Sequence, residues 1–145
     1  MNRWYVDSSL LGAYYCPEPL SEAAQKFLRS VDQPVISMLT EVEIFSLVAK
    51  KKRMREFGES KARKILMEFQ SHIDNGYYRM IVPIAEHYHL ARDMIGEFKT
   101  GLRSLDAVHL AIADVDNLPV VTADSVFAKA AKRFGMKARL LPSAA

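Results

Sequence analysis

The chain has 145 residues, half of them apolar, with 20 Lys and Arg against 17 Asp and Glu for a net charge of +3, and a single cysteine. That length and apolar share fit one domain spanning residues 1–145, while a lone Cys16 excludes an internal disulfide and a thiolate metal cluster. No apolar run is long enough to cross a membrane, and the opening Met-Asn-Arg-Trp-Tyr-Val-Asp lacks the regions of an export signal, so a cytoplasmic protein without a membrane partner is expected.

Trp4-Tyr5-Val6 is a short β-prone run that ends at Asp7-Ser8-Ser9, residues that cap helices, and Leu10 to Ala13 follow as a helical turn. After Pro17 and Pro19, Ser21 and Glu22 open a helix whose Ala24, Phe27, Leu28 and Val31 recur at helical spacing before Pro34. Val35-Ile36-Ser37 is the next strand. Residues 38–55 have helix length and end in Lys50, Lys51, Lys52, Arg53 and Arg55, cations that suit the negative end of a helix dipole. Gly58 breaks the chain, and Ala62, Ile65, Leu66, Phe69 and Ile73 form an amphipathic helix that Asn75-Gly76 stops. Residues 38–75 are therefore expected to form an antiparallel helical hairpin.

Tyr78 to Val82 reads as a strand, and Ile84 to Phe98 as a helix with Pro83 near its start. Beyond Gly101, Ser104 is expected to cap a helix through Leu105, Val108, Leu110, Ala111 and Ile112. Leu118-Pro119-Val120-Val121-Thr122 has the look of a buried strand, Asp124 of the cap of a helix from Val126 to Phe134, and Lys137 to Leu141 of a last strand after Gly135. Alternating strands and helices predict a three-layer α/β/α sandwich around a mainly parallel five-stranded sheet, with strand order 3-2-1-4-5.

In such sheets ligands sit beyond the carboxyl ends of strands where the strand order reverses, and Asp7 and Asp124 both follow strands. Each acid has a structural explanation of its own. Asp7 and Asp124 fit helix caps, Asp106 fits the first turn after Ser104, and Thr40-Glu41-Val42-Glu43 fits a capping box in which Glu43 reaches back to the Thr40 N–H. Gathered in one pocket, however, four carboxylates disfavour joint ionisation, and a hard divalent ion with oxygen ligands removes that conflict. Such an ion makes water a better nucleophile and stabilises charge on a phosphate, which points to phosphodiester hydrolysis without a protein nucleophile.

The segments that carry these acids are distinctive in order. Tyr5-Val6-Asp7-Ser8-Ser9, the Thr40-x-x-Glu43 helix start, Leu105-Asp106-Ala107-Val108-His109-Leu110-Ala111, and Thr122-Ala123-Asp124 eighteen residues after Asp106 together resemble the PIN domain family, and especially its VapC-type toxins of toxin–antitoxin pairs. The resemblance spans almost the whole chain. It implies a ribonuclease dependent on Mg2+ or Mn2+, with Asp7, Glu43 and Asp106 as the main acidic set, Asp124 as the fourth acid, and metal on Asp7, Asp106 and Asp124. It implies that Thr122 and Ser8 orient these groups, and by analogy that Lys50, Lys51, Lys52 and Arg53 help to hold RNA, although that run also reads as a solvated helix end. An RNA substrate, a VapB-like antitoxin and a homodimer built from the helices complete the implied partners.

Helical phase separates Glu41 from Glu43 by about 200°, but apolar residues surround both, so only the Thr-x-x-Glu register selects Glu43. His109 lies one turn beyond Asp106, and between Val108 and Leu110 it reads as a packed structural histidine rather than a ligand. Arg103 either contacts substrate phosphate or pairs with an acid. Tyr14, Tyr15 and Phe45 read as core or dimer contacts. A haloacid dehalogenase-type phosphatase needs an acid where Ser9 stands, and a receiver domain needs one where Val82-Pro83 stands. A non-toxin PIN nuclease, or a PIN-like module that binds RNA or protein without cutting, remains as the alternative to a toxin, and the acids alone do not choose between RNA and DNA.

Overall fold

Alternation along the strands decides the architecture. In a computed structural model that describes residues 2–142, β1 (Tyr5–Val6), β2 (Val35–Ser37), β3 (Arg79–Ile81), β4 (Val120–Thr122) and β5 (Ala138–Leu140) form one sheet in the order β3-β2-β1-β4-β5. Every pairing is parallel, with Tyr5 opposite both Val35 and Val120 and Val6 opposite Val121. Successive strand side chains point to opposite faces, so Tyr5, Val35 and Val120 enter one core while Val6, Ile36 and Val121 enter another. All six are fully buried. Residue 1 and residues 143–145, the ends of the unit expected from sequence, lie outside the described residues.

Four helices cover the Val6 face: α1 (Ser8–Tyr15), α2 (Ser21–Arg29), α3 (Met38–Arg53) and α4 (Glu59–Asp74). Three cover the Tyr5 face: α5 (Ala85–Gly96), α6 (Ser104–Val115) and α7 (Ser125–Arg133). The result is the three-layer sandwich and strand order that the alternating pattern predicts. Each fully buried Leu or Ile in the two cores contributes roughly 1.5–3 kcal/mol relative to exposure. Edge strands β3 and β5 are short and carry Arg79 and Arg139, which discourages pairing with another sheet. Gly76 and Gly135 take positive φ after α4 and α7, as their stop signals require. Among the described residues no helix is long and apolar enough to cross a membrane.

Several sequence expectations shift where the helices begin and end. The helix expected over 38–55 ends at Arg53, and the one expected over 84–98 spans Ala85–Gly96, because Phe98 turns to a φ of 58°. The cap of α6 is Arg103, not Ser104, which becomes the first helical residue. Thr40 is not a helix start either. The cap of α3 is Ser37, and Thr40 Oγ1 sits within the first turn, where it accepts from the Ser37 N–H at 3.1 Å. The expected Thr40–Glu43 box therefore does not form, and Glu43 is released from capping.

β1 and β4 are neighbours, so their carboxyl ends lie side by side at the point where the strand order reverses. α3 is held close to α1 there: a Cβ on Gly12 would come within 2.3 Å of Leu47 Cδ2, so the missing side chain makes room for the α3 side chains.

Candidate active site

Asp7, Glu43, Asp106 and Asp124 line one open pocket together with Ser8, Ser9, Ser46, Leu47, Lys50 and Leu105. Asp7 follows β1 and caps α1 by position, Glu43 comes from the second turn of α3, Asp106 from the first turn of α6, and Asp124 caps α7 after β4. Glu41 is absent from that lining. The helix origin at Ser37 is what sets the phase, and periodicity could not have supplied it.

Asp7 occupies a cap position but does not cap with its side chain. Its Oδ2 instead accepts from Thr122 Oγ1 and from Ser9 Oγ, both at 2.7 Å. Thr122 Oγ1 in turn accepts from the Asp124 N–H at 2.9 Å, and Ser9 Oγ from the Ala123 N–H at 3.1 Å. Asp7 is only 5% exposed, so this network ties a nearly buried carboxylate to the β4 end and leaves its Oδ1 without one of these hydroxyls. Thr122, expected from sequence to orient the acids, thus contacts both the Asp7 carboxylate and the Asp124 backbone. Ser9, which sequence did not single out, shares that position, because only the phase of the first α1 turn decides which of two adjacent serines folds back on Asp7.

Asp124 does cap its helix: Oδ1 accepts from the Val126 and Phe127 N–H groups at 2.8 and 3.3 Å. Its second oxygen takes no part in the cap. Both roles weighed from sequence are geometrically compatible, one on each oxygen.

Glu43 is held from behind. His109, fully buried, hydrogen-bonds the Glu43 carboxylate through Nε2, and its Nδ1 lies 2.6 Å from the Tyr5 hydroxyl. Tyr5 donates onward to Ser37 Oγ at 3.0 Å, which brings the chain back to the α3 cap. Burial pushes the Glu43 carboxyl up, but the hydrogen bond from His109, the attraction of its ring and the Ser8 hydroxyl together leave it below its ordinary value. Burial also keeps the Tyr5 phenol protonated far above its usual range. From sequence His109 reads as packing alone, yet among the described residues it is the one histidine bonded to these acids. Its signal was its position one turn from Asp106, on the same face of α6.

Asp106 shows the cost of the cluster most clearly. Burial raises its carboxyl, the Asp7 and Asp124 charges raise it further, Glu43 adds to them, and only His109 opposes. Among the described residues no three His, Cys, Asp or Glu side chains stand in ready ligand geometry. The carboxylates are spaced as a pocket rather than a closed cage. An all-oxygen donor set of repelling anions around open space fits Mg2+ or Mn2+, which use one or two carboxylates directly and reach others through water.

The cations separate into groups. Lys50 lines the acid pocket, Lys51 pairs with Glu56 at 3.2 Å, and Lys52 and Arg53 face a different cavity with Phe57 and Gly58 at the α3–α4 turn. The basic run is therefore divided between two cavities and an ion pair. Arg103 is exposed beside α6 and, among the described residues, forms no ion pair, which leaves its guanidinium open to phosphate.

A family model described as PIN domain matches residues 4–133. Among curated proteins none matches the chain. Similar solved structures include FitAcB from Neisseria gonorrhoeae, with TM-score 0.70 at 19% identity over 92% of this chain and 94% of that one. The VapC20 toxin of Mycobacterium tuberculosis, described as Sarcin-Ricin loop cleaving, gives TM-score 0.69 at 17% identity over 87% and 93%. VapBC2 from Rickettsia felis, bound to a DNA fragment from its promoter, gives 0.68 at 16% over 95% and 98%. At such identities these structures share the fold.

Proposed function

The chain belongs to the PIN domain family, and from that premise we propose that it is a Mg2+- or Mn2+-dependent endoribonuclease and the toxin of a toxin–antitoxin pair. The observation that carries the reading is the convergence of Asp7, Glu43, Asp106 and Asp124 on one open pocket, where burial and the neighbouring charges push the Asp106 carboxyl up. A cation is the natural relief for that arrangement.

Asp7, Asp106 and Asp124 would hold the ion. When bound, it supplies Lewis-acid stabilisation of charge on the phosphate and the leaving oxygen, and it makes water more acidic. The chain's own groups do the rest. Thr122 and Ser9 fix Asp7 so that it cannot turn away from the pocket. Asp124 keeps one oxygen on the α7 backbone and presents the other. Glu43, held ionised by His109, orients the attacking water and takes its proton, while Lys50 in the pocket and Arg103 at the α6 cap meet substrate phosphates.

An antitoxin partner of the VapB kind and a homodimer are part of the proposal. The similar VapBC2 structure from Rickettsia felis supports the antitoxin partner, and an exposed apolar stripe of Met38, Val42 and Phe45 on α3 supports a protein interface there. Cytoplasmic action on cellular RNA follows from the same reading.

The test is RNA cleavage with added Mg2+ or Mn2+ and after chelation, in the parent chain and in Asp7→Asn and Asp106→Asn. Losing an outer-shell partner of a metal costs about 10–100-fold in activity, so losing one of these acids should cost at least about 100-fold. Full cleavage in either variant, or cleavage that survives chelation, refutes the reading.

A further inference from the structure

Beside the acid pocket lies a shallow groove between the loop joining α5 to α6 and the outer face of α7. Lys99 and Thr100 line one wall, Lys129 and Arg133 the other, and Val126 and Ala130 the floor. The groove and the acid pocket share no lining residue, but short stretches of chain join them. Val126 follows Asp124 by two residues and donates its N–H to that carboxylate, and the loop ends at Arg103, three residues before Asp106. The loop backbone lies close on the floor, where a Cβ on Gly101 would sit 3.5 Å from Val126 Cγ1.

Two features mark this groove and the residue that leads into it. Lys99, Lys129 and Arg133 crowd one concavity, and among the described residues none of them is ion-paired. Next to Lys99, Phe98 is 91% exposed and holds a φ of 58°, a left-handed conformation that disfavours a bulky side chain. That turn ends α5, and the ring it leaves in water contributes nothing to the core.

Unpaired cations for phosphates and an exposed π-face for an unstacked base are what a single nucleic-acid strand requires. Lys129 and Arg133 lie one turn apart on the same face of α7, a spacing suited to neighbouring phosphates. An acidic peptide would also match the cations, but the two segments that form the groove run directly into Asp124 and Asp106, carboxylates that would repel it. A nucleic-acid strand instead brings phosphates to the ion those carboxylates would hold. We infer that this groove, rather than the Lys50–Arg53 run as a whole, holds the RNA on one side of the scissile phosphate, with Phe98 beneath an unpaired base. The inference rests on the ribonuclease reading above.

The test uses the full chain carrying Asp106→Asn in Mg2+, so that a labelled single-stranded RNA of mixed sequence binds uncut, with anisotropy measured from 50 to 200 mM salt. Lys129→Ala/Arg133→Ala should weaken binding about tenfold or more and flatten the log affinity against log salt slope by about 1.4, the value for two phosphate contacts on a single strand. Phe98→Ala should weaken binding roughly tenfold with the slope unchanged. A charge-matched control, Lys26→Ala/Arg29→Ala on α2, should leave affinity and slope near the parent's. Parent-like binding and slope in the α7 double variant, or an equal loss in the α2 control, overturns the groove while leaving the nuclease reading standing. Unchanged affinity in Phe98→Ala overturns its stacking role, and no RNA binding by the parent overturns groove and nuclease reading together.

Discussion

His109 ties Glu43 to Tyr5 across the sheet-facing side of α6, hydrogen-bonding the carboxylate through Nε2 while Nδ1 lies 2.6 Å from the phenol oxygen. Glu43 therefore reaches the pocket as the outer end of a buried chain that runs back to Ser37, the residue that starts its own helix. A carboxylate mounted in this way has less freedom than one on a solvent-facing helix, and its charge state is set partly by its neighbour.

His109→Leu should consequently do two things. Removing the ring leaves the Tyr5 hydroxyl short of a partner and Glu43 with only the Ser8 hydroxyl against burial's upward push, and each unsatisfied buried polar group costs about 1–3 kcal/mol. The melting temperature falls, and the acid limb of the cleavage pH profile moves to higher pH as Glu43 becomes harder to ionise. His109→Gln, which keeps a donor, should recover more of the stability than of the profile. An acid limb that stays in place in both variants would show that His109 only packs.

The Glu43 shift also has a sign in folding. Its carboxyl lies below the ordinary value of 4.5, so its contribution to stability is present above about that pH and is lost as the pH falls through the lower, folded value. Acid unfolding of His109→Leu should lack this component, and melting curves collected between pH 3 and 7 would reveal it.

Asp106 has the opposite sign. A carboxyl raised in the folded chain destabilises it at neutral pH, so Asp106→Asn should melt higher than the parent without metal, by roughly 1–4 °C for a stability gain of under 1 kcal/mol in a chain of this size. Added Mg2+ should stabilise the parent more than the variant, since an ion at 100 times its dissociation constant contributes about 2.7 kcal/mol. Melting temperatures measured with and without the ion decide this. A variant that melts lower without metal would contradict the repulsion inferred for the cluster.

Thr122 is fully buried between two of the acids, and Thr122→Val keeps its shape while deleting the donor to Asp7 and the acceptor for the Asp124 N–H. The chain should still fold, with a loss of about 1–3 kcal/mol, and cleavage should fall about 10–100-fold through kcat, as for other outer-shell partners of a metal. Ser9→Ala, which leaves the Thr122 contact intact, should cost less. Steady-state kinetics with one RNA substrate would separate the two.

The sheet was open to prediction because Tyr5-Val6, Val35-Ile36 and Val120-Val121 are short buried runs bounded by turn residues and separated by helical periods, and parallel order follows from that alternation. The phase of the helices was not. Glu43 could be chosen over Glu41 only by resemblance, because the Ser37 cap that sets the origin of α3 depends on a 3.1 Å bond from its own N–H to Thr40, and Thr40-x-x-Glu43 mimics a cap of its own. Likewise His109 joins Glu43 from sixty-six residues away, and no local pattern encodes a contact at that separation.

Asp124 offers the cleanest division between structure and chemistry. Its Oδ1 caps α7 through the Val126 and Phe127 N–H groups, while the charge it contributes is felt at Asp106. Asn caps a helix about as well as Asp, and Ala does not, at a typical cost of about 1 kcal/mol. Asp124→Asn should therefore keep or raise the metal-free melting temperature, since the cap survives and one repelling charge is gone, whereas Asp124→Ala should melt lower than Asp124→Asn. If the charge matters to catalysis, both variants lose cleavage to a similar degree despite their different stabilities, and higher Mg2+ restores part of it. If Asp124 is only a cap, Asp124→Asn cleaves like the parent. Thermal melts and a Mg2+ titration of cleavage on these two variants distinguish the outcomes, because the amide substitution separates the hydrogen bond from the charge on a single side chain.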